Sequence, residues 1–183
     1  MSPLRRNKPP TPPPTEQTCE DLACRARSGD EACYAELVRR YEQRLFNFLL
    51  RRTRHRVDAE DLTQETFLRA WQRLDRYDEQ WRFSTWLFTI GARLAVNHHR
   101  AQRPVVTSDA LAFRPGEYLD PAASASFREL TGTLWELATR ILSQDQQTAL
   151  WLRYAESLSI REIAQVLGKS EVATRVMLFR ARD

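Results

Sequence analysis

The chain has 183 residues, of which 42% are hydrophobic, and a formal net charge of +4. This size allows one hydrophobic core or two small ones, and the slight excess of positive charge favours an acidic partner without requiring nucleic acid. No apolar run approaches transmembrane length, and the N-terminus carries charges and prolines where a signal peptide would be hydrophobic. We therefore expect a soluble, cytoplasmic protein that does not insert into a membrane.

Three cysteines, Cys19, Cys24 and Cys33, lie near the N-terminus and form no C-x-x-C pair. An odd number in this arrangement fits reduced thiols better than a disulfide framework, and a zinc site would need further ligands nearby. The sequence also lacks a nucleophile-base pairing, a phosphate-binding loop and metal-ligand spacing. We therefore expect no cofactor, no metal site and no catalytic residue, so the protein is not predicted to be an enzyme.

The prolines divide the chain into parts. Six of the nine lie between Pro3 and Pro14, and the other three are Pro104, Pro115 and Pro121. Because proline breaks helix interiors, the two long proline-free blocks predict two helical domains joined by a linker. No internal repeat and no strand-like alternation is present. We predict an all-α fold of two small helical domains, with these boundaries: a disordered basic tail at 1–17, a first domain at 18–103, a flexible linker at 104–125 and a second domain at 126–183.

The first domain opens with an amphipathic helix predicted from residue 31 to residue 54. Its apolar positions recur at helical spacing. We expect this buried stripe: Leu37, Tyr41, Leu45 and Phe48.

The segment VDAEDLTQETFLRAWQRL predicts the next helix, with Asp58 as its N-cap. We expect Phe67, Trp71 and Leu74 to be its buried stripe. Another face carries side chains spaced i, i+3, i+4 and i+7: Asp61, Gln64, Glu65 and Leu68. A face of this kind is usually only solvated, although it also suits a binding surface.

The segment FSTWLFTIGARLAVNHHR predicts a third helix, which should bury Leu87, Ile90 and Leu94. A second line along it mixes an aromatic with basic and amide groups: Trp86, Arg93, Asn97 and Arg100, with Phe83, Ser84 and Thr85 at the helix start. Such side chains can contact phosphates and base edges, and an aromatic can stack on an unpaired base. The alternative is a tryptophan partly buried against a neighbouring helix, with solvated arginines.

The second domain begins with LSQDQQTALWLRY, an amphipathic helix that should bury Ala149, Leu150 and Leu152. Two further helices, at 160–167 and 171–182, are predicted in the segment SLSIREIAQVLGKSEVATRVMLFRAR. Gly168 suits a left-handed turn between them, and Ser170 suits the N-cap of the second. We expect these inward residues: Ile163, Val166, Leu167, Val172, Val176 and either Leu178 or Phe179. The pattern is typical of a helix-turn-helix, although similar helix pairs occur in proteins that do not bind DNA.

Three segments, in their order along the chain, resemble the extracytoplasmic-function (ECF) group of bacterial sigma factors. They are DAEDLTQETFLRAW, FSTWLFTIGARLAVNHHR and LSIREIAQVLG…FRAR. The family's D-x-x-Q-E-x-F pattern falls on Asp61, Gln64, Glu65 and Phe67. The resemblance implies that this face docks on the β′ clamp helices of core RNA polymerase. The implied polymerase-binding residues are Asp61, Gln64, Glu65 and Leu68.

The resemblance also implies two promoter contacts. The third helix would meet the minus-ten element as it melts, through Phe83, Ser84, Thr85, Trp86, Arg93, Asn97 and Arg100. The helix-turn-helix would read the minus-thirty-five element, through Ser170, Ala173, Thr174, Arg175, Met177, Arg180 and Arg182. Further implied partners are the polymerase β flap and an anti-sigma factor.

The second helix of the helix-turn-helix departs from the family at Ala173, Val176 and Met177, where relatives usually carry Thr, Ser and Arg. We expect Arg175 to bond a guanine, and Ala173 and Met177 to suit thymine methyls. Arg180 and Arg182 should hold phosphates. The alternative function is a free-standing helix-turn-helix regulator with a regulatory N-terminal domain, which would not need the acidic face of the second predicted helix.

Overall fold

The computed structural model describes residues 17–101 and 141–182, which contain seven α-helices, one 3₁₀ helix and no β-strand. The first range holds α1 (Cys19–Arg27), α2 (Glu31–Thr53), α3 (Arg56–Gln72), the 3₁₀ helix Leu74–Arg76 and α4 (Phe83–Ala101). The second holds α5 (Gln144–Tyr154), α6 (Ile160–Leu167) and α7 (Glu171–Arg180). The predicted all-α fold is confirmed. The predicted linker and all but one residue of the predicted tail lie outside the described residues.

Side-chain caps set where the helices begin. Ser143 and Ser159 each close a capping box, at the starts of α5 and α6. The N-cap predicted at Asp58 was wrong, because α3 begins earlier: Nδ1 of His55 accepts the Asp58 N–H at 3.3 Å. Arg54, in the left-handed region at φ 55°, ends α2, so only two residues separate the two helices. The turn between α2 and α3 is therefore tighter than the sequence suggested.

The helix-turn-helix has the predicted local geometry. Gly168 lies in the left-handed region at φ 63°, and the Ser170 hydroxyl accepts the Ala173 N–H at 3.2 Å. The boundaries of α6 match the prediction, whereas α7 ends two residues earlier than predicted, at Arg180. Local signals alone were enough to define this motif.

The core of the first range forms around α2, whose predicted stripe from Leu37 to Phe48 is buried. Helix α4 packs closely on it at Gly91, where an added Cβ would lie 3.2 Å from Leu45 Cδ1. The predicted burial of Trp71 was wrong, since this residue is 38% exposed. Its ring instead lies on the rim of α3 beside Tyr34, with ring centroids 4.7 Å apart.

The two described ranges share one hydrophobic core. The Trp151 ring of α5 packs against both Phe48 of α2 and Phe88 of α4, with centroid separations of 5.8 and 5.7 Å. All three side chains are buried. The second domain is therefore packed directly against α2 and α4 of the first.

Helix α7 presents a different face from the one predicted. Leu178 is buried as expected, but Val172 and Val176 are exposed, so their predicted burial was wrong. Thr174 is completely buried in their place, and its hydroxyl donates to the Ser170 carbonyl at 3.0 Å. The helix thus packs inward through its Thr174–Leu178 side, which leaves two valines facing solvent.

Candidate nucleic-acid interface

The face of α3 that was singled out in the sequence is accessible. Asp61, Gln64 and Leu68 are exposed, and half-buried Glu65 accepts a hydrogen bond from Arg69 Nε at 2.5 Å. Leu68 of α3 is 53% exposed. The four residues form one continuous surface that is free to contact another macromolecule.

Beside this surface lies a groove of about 570 Å³ that the sequence did not reveal. Its apolar walls come from Tyr34 of α2 and from Phe67, Leu68 and Trp71 of α3. The Tyr34 hydroxyl donates to the Phe67 carbonyl at 2.5 Å, which fixes the ring against α3. Trp71 was assigned to the core because of its helical spacing, and only the tertiary packing places it at the groove edge.

The first turn of α4 is buried. Phe83 is fully enclosed, with its ring 5.5 Å from Tyr41 and 5.7 Å from Tyr77, and its N–H donates to Glu20 Oε1 at 3.1 Å. Ser84 is also buried. Trp86 is half-buried, 5.4 Å from the Tyr77 ring, so this predicted DNA-contacting aromatic lies partly within the aromatic cluster of its own domain.

Thr85 is covered by the second domain. It is fully buried, and its Oγ1 donates to Glu162 Oε1 of α6 at 3.0 Å. Burial opposes the ionisation of Glu162, but hydrogen bonds from Ser159 and Thr85, together with the charge of Arg82, hold its pKa below the usual value. The same carboxylate thus caps α6 and ties α6 to α4.

The later turns of α4 remain open. Arg93, Asn97 and Arg100 are exposed, and they line one wall of a cleft of about 340 Å³. The opposite wall is the end of α6, from Gln165 to Gly168. These three polar side chains therefore face the second domain across a gap.

Two ion pairs reinforce the contact between the domains. Glu156, whose side chain is only 3% exposed, pairs with Arg44 of α2 through two contacts, one of them 3.2 Å from Nε to Oε1. Asp145 Oδ1 lies 3.7 Å from Arg52 Nη1. Burial lowers the pKa of Arg51 to about 10 and also lowers that of Arg52. The interface therefore holds partly desolvated cations close to carboxylates of the second domain.

Most of the helix-turn-helix residues predicted to contact DNA are accessible. The exposed ones are Ser170, Ala173, Arg175, Arg180 and Arg182. Met177 is partly buried against the core, and fully buried Thr174 is not available to a ligand in this conformation. The accessible residues all lie on the outer side of α7 or just beyond it.

Within 17–101 and 141–182, no group of three or more histidine, cysteine or carboxylate residues is arranged to hold a metal ion. The cysteines Cys19, Cys24 and Cys33 form no disulfide bond. None of the helices described is long and apolar enough to cross a membrane.

Comparison with known proteins identifies both domains. The family model of Sigma-70 region 2 matches residues 37–105, and that of Sigma-70, region 4 matches residues 135–183. The chain is 30% identical over 175 residues to the ECF RNA polymerase sigma-E factor of Haemophilus influenzae, covering 91% of this chain and 92% of that protein. The chain belongs to the ECF family of RNA polymerase sigma factors.

Other relatives agree with this assignment. This sigma factor is 32% identical over 168 residues to the ECF RNA polymerase sigma factor BldN of Streptomyces coelicolor, and the match spans 88% of this chain but only 62% of BldN. In fold it is similar to the sigma factor RpoE of Bartonella quintana, solved in complex with the anti-sigma factor NepR. That similarity has a TM-score of 0.63 at 24% identity and covers 81% of this chain and 91% of RpoE.

Proposed function

We propose that this sigma factor binds core RNA polymerase through α3 and recognises promoters through α4 and α7, without a catalytic residue of its own. The observation that carries the proposal is the pairing, in one chain, of a helix-turn-helix with outward arginines and a region 2 domain with an exposed α3 face. A free-standing regulator would not need the region 2 domain, so the alternative function is not favoured.

The surface that we assign to the polymerase comprises Asp61, Gln64, Glu65 and Leu68, extended by the neighbouring groove. Apolar Leu68 and Trp71 are exposed beside carboxylates, which is the mixture expected where an apolar anchor is surrounded by a polar rim. The β′ clamp helices are the proposed partner here, and the β flap is the proposed partner of the second domain.

The residues that we assign to the minus-ten element are those of α4, which are most useful once the duplex has opened. Arg93, Asn97 and Arg100 are accessible and suit a single strand, whose backbone attracts basic side chains and whose bases stack on aromatics such as Trp86. Thr85 can reach DNA only after α6 has left α4, because Glu162 now occupies its hydroxyl. We therefore propose that the second domain separates from the first during promoter opening, which would free Thr85.

The residues that we assign to the minus-thirty-five element lie on α7 and need no such movement. We assign Arg175 to a base edge, and Arg180 and Arg182 to phosphates, because all three side chains are exposed. A further proposed partner is an anti-sigma factor, by analogy of fold with RpoE bound to NepR. Such a protein would act by holding the two domains together or by covering the α3 face.

The proposed function is tested by run-off transcription with core polymerase on genomic fragments. We expect transcription from a limited set of promoters, and we expect Asp61→Ala combined with Leu68→Ala to abolish both transcription and co-purification with polymerase. Glu60→Ala is the matched control, since Glu60 is an exposed acid next to Asp61 but on a different side of α3. Unchanged co-purification of the double variant would overturn the assignment of the α3 face.

A further inference from the structure

The outer face of α7 carries an apolar strip. Val172, Val176 and Phe179 are 70%, 44% and 61% exposed, respectively. Their spacing of i, i+4 and i+7 places them on one side of the helix, opposite the buried pair Thr174 and Leu178. Isolated exposed apolar residues are common on protein surfaces, but three in line on one helix are not explained in that way.

Charged groups frame this strip on both sides. On the helix, Arg175 lies to one side of the three apolar residues and Arg180 to the other, and both are exposed. From Val172 to Phe179 the strip rises by seven residue steps, or about 10 Å at 1.5 Å per step. About three base-pair steps of 3.4 Å have the same length. An apolar line of this length, with a guanidinium on each side, therefore suits the floor of the major groove, where Arg175 would bond a base edge and Arg180 a phosphate.

Only one base offers an apolar group of this kind in the major groove. Among the base edges exposed in the major groove, the C5-methyl of thymine is the apolar group, and the other groups there are hydrogen-bond donors and acceptors. A valine next to a donor or acceptor would leave it without a partner, which costs affinity. A stable protein partner would need roughly 800 Å² on this side, far more than three side chains offer.

We propose that Val172 and Val176 are specificity-determining residues that read thymine methyl groups in the upstream promoter element, with Phe179 extending the apolar strip. The inference rests on the proposed function, since it assumes that α7 enters the major groove. It replaces the sequence-based assignment of methyl contacts to Ala173 and Met177. Met177 packs against the core of the second domain, and Ala173 lies to one side of the strip.

Replacing thymine by deoxyuridine tests the proposal, because it removes the methyl group and leaves the hydrogen-bonding edge unchanged. The holoenzyme is first used to select upstream elements from randomised DNA. Each thymine of the selected element is then replaced in turn, and the affinity of the holoenzyme is measured. We expect two positions at which replacement weakens binding about threefold to fivefold, the size expected for losing one buried methyl group.

Two variants assign each position to a side chain. Val172→Ala should abolish the sensitivity to deoxyuridine at one of the two positions, and Val176→Ala at the other. Both side chains are exposed, so folding should be unaffected, and unfolding curves verify this. Ile141→Ala is the matched control, because Ile141 is 79% exposed and lies outside α7. Deoxyuridine in the spacer between the two elements controls for general effects on the duplex.

The possible outcomes separate the two proposals. A holoenzyme that selects promoters but is insensitive to every deoxyuridine replacement would overturn the methyl-reading role while leaving the proposed function intact. If the valine variants weaken binding to polymerase and leave the sensitivity to deoxyuridine unchanged, the strip is a protein contact. That outcome would also overturn the methyl-reading role and leave the proposed function intact. Failure to form a selective holoenzyme would contradict the proposed function itself, and the methyl-reading role with it.

Discussion

The two helices assigned to promoter DNA differ in how accessible they are. The first turn of α4 is buried, partly in its own domain and partly under α6, whereas the outer face of α7 is open to solvent. The helix that we propose for duplex DNA is thus available in the free chain, whereas the first turn of the helix that we propose for the separated strand is covered. Under the proposed function, duplex recognition by α7 would need no rearrangement, while full contact of α4 with the separated strand would need the domains to part.

The largest effect is expected from removing the aromatic ring that joins the domains. Trp151→Ala deletes the ring that packs on both Phe48 and Phe88, and loss of a buried tryptophan typically costs about 3–5 kcal/mol. We expect a loss of this size in the free energy of unfolding, measured by urea denaturation. A loss below about 1 kcal/mol, the size typical of an average point mutation, would mean that the two domains do not share a core.

The next effect concerns the charge pair across the interface. Glu156→Gln leaves Arg44 without its partner carboxylate, so the closed arrangement should weaken and the free chain should bind a single-stranded minus-ten oligonucleotide more tightly. We expect the affinity for the oligonucleotide to increase severalfold, up to about tenfold. A tenfold change corresponds to about 1.4 kcal/mol, and the effect should not exceed this because Arg44 is partly exposed and solvent screens the ion pair. Fluorescence anisotropy measures this affinity.

Glu171→Gln serves as the control for that experiment, because it removes the same charge from an exposed position on α7. An equal gain in both variants would trace the effect to net charge rather than to the interface. No gain in Glu156→Gln would show that the pair does not restrict α4.

An effect of similar size separates the two sides of α7. Thr174→Ala removes a buried methyl group and the hydrogen bond to the Ser170 carbonyl, so we expect a loss of about 1–2 kcal/mol in unfolding free energy. Base preference in selections from randomised upstream elements should stay the same, since Thr174 faces the core. Altered preference at one base pair in the folded variant would show that Thr174 contacts DNA.

The smallest effect depends on pH. The pKa of Glu162 is held below its usual value of 4.5, so the ionised carboxylate contributes stability above that pH. This contribution should fade as the pH falls through the lowered pKa. We expect wild type to be more stable than Glu162→Gln at neutral pH and the difference to disappear in acid, as measured by urea denaturation at a series of pH values. A difference that is constant down to the lowest pH would contradict this.

Local chemistry explains which features could be predicted from the sequence. Capping residues and a glycine define α6 and the turn after it, so their boundaries and the Gly168 conformation were predicted. The predicted burial of Val172 and Val176 was wrong because an apolar side chain is not always buried. On this helix, Val172 and Val176 lie on the outer face, and Thr174 is buried with its hydroxyl bonded to the backbone.

The contact between the domains could not be predicted at all. Arg44 and Glu156 are 112 residues apart, and neither helical periodicity nor spacing relates them. For the same reason the sequence marked Thr85 as a DNA contact without indicating that Glu162 would cover it. Trp71 was misplaced because a position with helical spacing at the end of α3 can lie on the rim of a groove as well as in the core.

The distance between the domains, measured in the free chain and in the open promoter complex, tests most directly whether the second domain leaves α4 when the strand is bound. Energy transfer between dyes at Glu42 on α2 and Glu171 on α7, both exposed, reports it in a variant whose native cysteines are replaced. We expect one high-transfer population in the free chain and a shift to low transfer in the open complex. Equal transfer in both states would contradict the claim that the second domain must leave α4 before the strand is bound.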